Sequence, residues 1–284
     1  MHVWFKTGVI ITLSSAWSRR YCSSVALTIR PNLIKSLQTA FPRGTPFDHH
    51  ELTKLGVSSA LAHYYLKSGW LLRLGRGVFM YPNDTLSRED CLKFLSRPVT
   101  GFHVGGKTAL AWRGIRHNIP AREPLSLWGE GKASLPEWFQ KRFPSRYTAR
   151  NLFSSKLPKQ FGLQPLPETP GGVHVSVPER ALLEMLSEVG LHQGIEEARN
   201  IMEGARSLRP EVLTTLLKNC QRVKVARLSV RWAEELGLPW AAAAKKAMGN
   251  RQGNSRWSAR LKDGTTLVLK PWWTKPTSRR SASC

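Results

Sequence analysis

The spacing of apolar residues in the first third of the chain predicts three short helices. Apolar side chains recur every three or four residues, and a polar residue suited to capping stands before each first turn. Asp48 and Glu51 have the spacing of a capping box, and Gly56 is placed to end the helix that they begin. The predicted helices run from Asn32 to before Pro42, from Asp48 to Gly56, and from Ser58 to about Lys67.

Two apolar segments after the third helix predict a β-hairpin. Trp70–Leu74 and Val78–Tyr81 flank the turn sequence Gly75–Gly77, and Pro82 ends the unit. Helix, helix, short turn, helix and hairpin follow one another in the order of a winged helix-turn-helix domain. The sequence therefore predicts this DNA-binding fold for residues 29–84.

The third helix is predicted to have one buried face and one open face. Val57, Leu61 and Tyr65 recur at intervals of four residues and are expected to pack on the first two helices. The other stripe is small or polar, and the hairpin places two arginines where a wing would reach phosphates or the minor groove. The candidate DNA contacts from this pattern are Ser59, His63, Lys67, Arg73 and Arg76.

The rest of the chain alternates helical patterns with loop-rich segments. Ser176 and Glu179 have capping-box spacing before a helix that ends at Gly190. Short strands and loops are expected over 120–172, which is rich in Pro and Gly. Further helices are predicted over 107–113, 194–203, 210–219 and 223–236, and a hairpin joins Trp257–Leu261 to Thr266–Lys270. The fold class is therefore α+β, with a mainly helical α+β C-terminal domain over residues 85–270.

The chain carries a large positive charge. Its 43 Lys and Arg against 19 Asp and Glu give a net charge of +24 at pH 7 and a pI of about 10.7. Residues 1–83 contain ten basic and two acidic residues, residues 245–284 contain ten and one, and the middle is closer to balance. Cations that neutralise phosphates release counterions, so nucleic acid is the favoured partner. A basic host proteome or ribosome association is the alternative explanation.

The two ends of the chain are expected to lie outside the folded domains. Residues 1–28 contain an apolar run that is too short to span a bilayer and marginal as a secretory signal, so a disordered leader or an over-called start is expected. Residues 271–284 are polar and basic, and a disordered tail is expected there. The four cysteines lie far apart without a CxxC pair, which indicates neither a zinc site nor a disulfide framework and favours a reducing cytoplasm.

One segment matches a nucleotide-binding pattern. The segment Gly101–Thr108 has a glycine, any four residues and then Gly-Lys-Thr, which is the pattern of a phosphate-binding loop. In such a loop Lys107 would contact the terminal phosphates and Thr108 would hold magnesium. The pattern requires a buried strand before it, and Ser96–Thr100 contains a proline and is a poor strand. No Asp follows an apolar run, as magnesium binding would need. We therefore expect a structural role, in which the two glycines allow close backbone packing and Lys107 is solvated.

Three segments of the chain are similar to those of one known family. They are Leu52–Tyr81, Phe102–Leu110 with Gly114 and His117, and Val173–Leu186 with its Ser-x-Pro-Glu-Arg-Ala start; the helix Val223–Trp240 also fits. Together they resemble the AbiEi-type antitoxins of type IV toxin–antitoxin systems, and their order along the chain makes the resemblance more specific than the winged helix alone. It covers roughly residues 30–240, whereas residues 1–28 have no counterpart and the stretch after about 245 diverges.

The resemblance implies a repressor that binds inverted repeats in its own promoter, and a second domain that counteracts a nucleotidyltransferase-like toxin without a stable complex. It implies no catalytic residue, cofactor or metal. Such a protein would act in the bacterial cytoplasm, associated with the nucleoid, without membrane contact. By matching position, the DNA-contacting residues would be Ser58, Ser59, His63, Lys67, Arg73 and Arg76.

Two other functions stay open. A stand-alone transcriptional regulator would lack a nucleotidyltransferase-like reading frame downstream of its gene. An NTP-dependent nucleic-acid enzyme would use the Gly101–Thr108 loop, and saturable ATP binding that is lost on Lys107→Ala would indicate it.

Overall fold

The structure is a computed structural model that describes residues 30–117, 123–249, 257–260, 264 and 266–269. Contacts divide the chain into two compact units, with the boundary between Leu86 and Ser87. The expected leader over 1–28 and tail over 271–284 lie outside the described residues.

The first unit has the element order of a winged helix-turn-helix fold. Local capping starts its helices: Asp48 and Glu51 make both hydrogen bonds of the capping box, and Ser58 Oγ accepts from the N–H of Leu61 at 3.2 Å. The strands form an antiparallel sheet in the order β1–β3–β2. The elements are α1 (Arg30–Ala40), β1 (Phe47–Asp48), α2 (His49–Lys54), α3 (Ser59–Lys67), β2 (Leu72–Gly75) and β3 (Val78–Met80).

Aromatic packing forms the core of the first unit. Phe47 is fully buried, and its ring stacks on that of Phe41 with 4.4 Å between centroids and lies 5.4 Å from that of Tyr81. Val57 and Tyr65 are also buried. Since Leu61 is half-buried against the same core, the predicted packing face of the third helix is confirmed.

The second unit is built on a mixed five-stranded sheet in the order β6–β5–β4–β8–β7. The pairs β4–β8 and β5–β6 are parallel, and the pairs β4–β5 and β7–β8 are antiparallel. Its strands are β4 (His103–Val104), β5 (Leu125–Gly129), β6 (Ser145–Ala149), β7 (Leu163–Gln164), β8 (Val175–Ser176), β9 (Trp257–Arg260) and β10 (Thr266–Leu269). Its helices are α4 (Arg88–Ser96), α5 (Gly106–Trp112), α6 (Glu137–Arg142), α7 (Pro178–Glu188), α8 (Ile195–Glu203), α9 (Pro210–Asn219), α10 (Val223–Glu235) and α11 (Ala241–Met248).

Helix α7 is the centre of this unit. Every residue from Ala181 to Ser187 is buried, and the helix packs against α5, α8, α9 and α10. Gly190 follows its end in a left-handed conformation, as expected for a glycine that ends a helix. The predicted apolar side of this helix is confirmed for Ala181, Leu182, Met185, Leu186 and Val189.

The predicted capping box at the start of α7 is wrong. The N-cap is Val177, which makes no side-chain capping bond, and Pro178 follows it. The Ser176 hydroxyl donates to Glu184 at 2.8 Å, while the Glu179 carboxylate binds Arg209. Both side chains therefore make tertiary contacts instead of capping the helix.

Most other predicted elements of the second unit are confirmed. Helices α5, α8, α9 and α10 lie within one or two residues of their predicted bounds, and β9 pairs with β10 as an antiparallel hairpin. Residues Leu261, Asp263 and Lys270 of that hairpin prediction lie outside the described residues. Helices α4, α6 and α11 were not predicted. With the winged helix in the first unit, the predicted α+β fold class is confirmed.

Candidate nucleic-acid interface

Helix α3 presents its polar stripe to solvent. Ser59, His63 and Lys67 are all exposed, on the side opposite the buried Ala62 and Tyr65. Ser58 is also exposed, but its hydroxyl already caps the helix. The first turn of α3 carries no acidic residue and its last turn carries Lys67. One face of the helix is therefore open for a polyanion along its whole length.

The hairpin between β2 and β3 forms the wing. Gly75 pairs with Val78, so Arg76 and Gly77 make the turn, and Gly77 has a φ of +71° that favours glycine. Arg76 is exposed at this turn. Arg73 is exposed on β2, where an irregularity in the pairing with β3 follows it. Both arginines are thus placed at the surface of the wing.

His49 connects the wing to α3. Its backbone N–H donates to the carbonyl of Gly77 at 3.0 Å, and its Nε2 lies 2.8 Å from the hydroxyl of Ser59. The start of α3 and the tip of the wing are therefore held beside one residue, whereas Lys67 lies at the far end of the helix. The sequence analysis did not identify this role of His49, because nothing in the residue spacing links it to Ser59.

The acidic side chains of the first unit are occupied elsewhere. Asp48 and Glu51 form the capping box of α2. Asp84 accepts from the N–H of Gly44 at 3.0 Å and pairs with Arg43. Within the described part of this unit, Lys67, Arg73 and Arg76 make no ion pair. These cations are therefore free to neutralise phosphates.

In the second unit, the carboxylate of Glu184 lies at the point where the Gly101–Thr108 loop enters helix α5. The N–H of Gly106 donates to Glu184 Oε2 at 3.0 Å, and a Cβ on Gly105 would lie only 2.2 Å from that oxygen. Thr108 Oγ1 accepts from the N–H of Ser126 at 2.9 Å. The glycine at 105 thus permits the close backbone packing that the sequence predicted.

Lys107 is not solvated, contrary to the prediction. Its Nζ lies 2.6 Å from carboxylate oxygens of both Glu123 and Glu197, and its side chain is 24% exposed. The lysine, the threonine and the helix N–H that would serve a nucleotide are therefore all bonded within the protein. This arrangement disfavours the nucleotide-binding alternative.

Glu184 is the centre of a buried polar cluster. Its Oε1 accepts from His103 Nε2 at 3.0 Å and from Arg180 Nε at 2.9 Å, and its Oε2 accepts from Gly106 and Ser176. Burial by itself raises the pKa of this carboxyl group, but the charges and hydrogen bonds of His103 and Arg180 overcome that effect and lower the pKa to about 2. Glu184 is therefore ionised at neutral pH.

His103 lies between Glu184 and the backbone carbonyl of Gly101 in this cluster. Its Nδ1 lies 2.6 Å from the carbonyl oxygen of Gly101, and its Nε2 faces the ionised Glu184. This pairing could not be predicted from the sequence, because Glu184 lies 81 residues from His103 along the chain.

Two family models match the chain. The model for "Transcriptional regulator, AbiEi antitoxin N-terminal domain" matches residues 30–121, and that for "Transcriptional regulator, AbiEi antitoxin, Type IV TA system" matches residues 122–268. The chain belongs to the AbiEi antitoxin family. The resemblance found in the sequence is thereby confirmed. The members of this family are described as transcriptional regulators and antitoxins, not as enzymes.

One solved structure supports the fold of this AbiEi-family chain. The crystal structure of the RV2827C protein from Mycobacterium tuberculosis has a TM-score of 0.53 and 15% sequence identity, and the match covers 82% of this chain and 88% of that one. At this identity the likeness concerns the fold alone. The comparison with curated proteins gave no match.

Two further findings bear on membranes and metals. Among the described helices, none combines the length and apolar character needed to cross a bilayer. Within the same described ranges, no group of three or more His, Cys, Asp or Glu side chains could hold a metal ion.

Proposed function

We propose that this protein is the antitoxin of a type IV toxin–antitoxin system and that it represses its own operon by binding promoter DNA in the bacterial cytoplasm. Residues 29–84 would bind inverted repeats through α3 and the wing. Residues 85–270 would counteract a nucleotidyltransferase-like toxin without forming a stable complex. Membership of the AbiEi antitoxin family supports the general assignment.

The observation that carries the DNA-binding part is the surface around His49. Ser59 and the Arg76–Gly77 turn both lie beside His49, and Lys67 and Arg73 extend the same unit's exposed cationic surface. A helix and a wing presented together suit one groove and the adjacent phosphates. We propose Ser58, Ser59, His63, Lys67, Arg73 and Arg76 as the contacting residues.

Arg76→Ala is expected to weaken promoter binding about fivefold to tenfold at low salt, because one phosphate contact is lost. The slope of log affinity against log salt concentration should become shallower by about one unit. Titration of a fluorescent promoter duplex at several salt concentrations measures both quantities. Arg142→Ala removes the same charge from an exposed position on α6 of the second unit and should change neither. Equal affinity and slope for Arg76→Ala and the native protein would exclude a contacting wing.

Co-expression with the gene immediately downstream tests the antitoxin part. We expect the downstream product to arrest growth when it is made alone from an inducible promoter, and growth to recover when this chain is also made. Because that promoter is unrelated to the natural operon, Arg76→Ala should still protect the cells. Failure of the native chain to restore growth would favour the stand-alone regulator.

A further inference from the structure

The second unit contains a cavity of about 420 Å³ to which the proposed function assigns no role. The cavity is lined by the segment 150–159, the first turn of α7 and the ends of β4 and β5. Gly101 and Gly129 line it beside the strands, and His103 and Trp128 form part of its buried wall. Ligand pockets for small molecules have volumes of about 300–1,000 Å³, so this cavity has room for a small molecule but not for a duplex.

The side chains that line the cavity are mainly hydrogen-bond donors. Arg180 donates from Nε to Glu184 and from Nη1 to the backbone carbonyls of Phe161 and Lys159. Its Nη2 has no hydrogen-bond partner among the described residues. Arg150 donates only from Nη1, to the carboxylate of Glu188. The side chains of Asn151, Ser155 and Gln221 have no partner in the described part of the chain. An acceptor-rich ligand would satisfy these groups.

Fixed cations favour the same kind of ligand. The lining contains three cationic side chains, Arg150, Lys159 and Arg180, and each is held by a carboxylate, that of Glu188, Glu130 and Glu184 respectively. The Nζ of Lys159 already donates a hydrogen bond to Glu130 Oε2 at 2.7 Å. The Arg180 guanidinium is held in place by its three hydrogen bonds and lies over the ring of Phe153 at 5.2 Å from its centroid. A cation that is already fixed loses little conformational entropy when an anion binds.

We propose that this cavity binds a small phosphate-bearing anion, with the free Nη2 of Arg180, the side chain of Arg150 and the amide of Asn151 as its donors. Arginine forks match phosphate oxygens, and charge-assisted bonds of this kind are among the stronger hydrogen bonds in proteins. The site lies wholly within the second unit. The proposed anion site does not involve the DNA-binding residues. Failure of one proposal would therefore leave the other untouched.

Titration calorimetry of the full chain with inorganic pyrophosphate tests this site. We expect saturable one-to-one binding. Asn151→Asp should weaken it at least about tenfold, because an isosteric carboxylate replaces a donor with an acceptor. Ser155→Asp, at a second exposed lining position without a partner, should act in the same direction. Both residues are exposed and bonded to no described side chain, so the variants should fold.

Two control variants separate this cavity from the DNA-binding surface. Asn83→Asp makes the same change at an exposed position of the first unit, and Arg76→Ala removes a cation of the wing; both should leave pyrophosphate affinity unchanged. The proposal is overturned if pyrophosphate does not bind, if both cavity variants bind as the native protein does, or if Arg76→Ala abolishes binding.

Discussion

Replacing Glu184 by glutamine is expected to lower the free energy of unfolding of the second unit by about 3–5 kcal/mol. The carboxylate of Glu184 accepts four hydrogen bonds inside the protein. In glutamine an NH₂ group replaces one of the two oxygens, so at least one of these donors would face another donor and lose its hydrogen bond. The buried guanidinium of Arg180 would also lose its negatively charged partner. Urea unfolding followed by circular dichroism and tryptophan fluorescence measures the loss.

Glu203→Gln is the matched control, since Glu203 is exposed on α8 and its loss should change stability by less than about 0.5 kcal/mol. The pH dependence gives a second readout. The pKa of Glu184 lies at about 2, below its ordinary value of 4.5, so its contribution is present above pH 4.5 and is lost as the pH falls toward 2. The glutamine variant should lack this part of the acid dependence. If the two variants are equally stable, Glu184 does not hold the cluster together.

Phe47→Ala is expected to unfold most of the first unit and to abolish promoter binding while leaving the second unit folded. Removing a fully buried phenylalanine costs about 3–5 kcal/mol, and a unit of this size has only about 3–8 kcal/mol of stability in total. The stacking with Phe41 would be lost as well. Calorimetry of thermal unfolding should show the transition of the second unit unchanged.

Phe47→Leu is the control for this experiment, because it retains most of the buried volume and should keep most of the DNA affinity. Promoter titration of the three proteins at one salt concentration compares them directly. Native-like affinity of Phe47→Ala would show that the aromatic cluster does not hold the DNA-binding surface. Loss of both thermal transitions would show that the two units do not unfold separately.

The winged helix could be predicted because its signals are local. The caps at Asp48 and Ser58 lie within three residues of the N–H groups that they satisfy, and the turn at Arg76 and Gly77 separates two apolar strands. Helices α4 and α11 had signals of the same kind: Ser87 caps α4, and a run of alanines forms α11. Sequence reasoning missed both helices although the signals were present.

The cluster around Glu184 could not be predicted because its contacts are far apart in sequence. Ser176 and Glu179 have the spacing of a capping box, yet each side chain makes a stronger tertiary bond with Glu184 or Arg209. Strands β4, β7 and β8 have two residues each, too few to show an alternating pattern. Segments Phe102–Leu110 and Val173–Leu186, which carry part of the family resemblance, meet at this cluster.

The carboxylate beneath the Gly101–Thr108 loop also limits how this fold can diverge. A descendant that acquired ATP hydrolysis there would have to lose Glu184, find new partners for His103 and Arg180, and supply a magnesium ligand. An intermediate that lost Glu184 and kept Arg180 would contain an unpaired charge in the interior and would be selected against for its instability. A search for ATPase signatures will therefore flag this loop, and the distant glutamate bonded at its helix start is the residue that argues against nucleotide binding there.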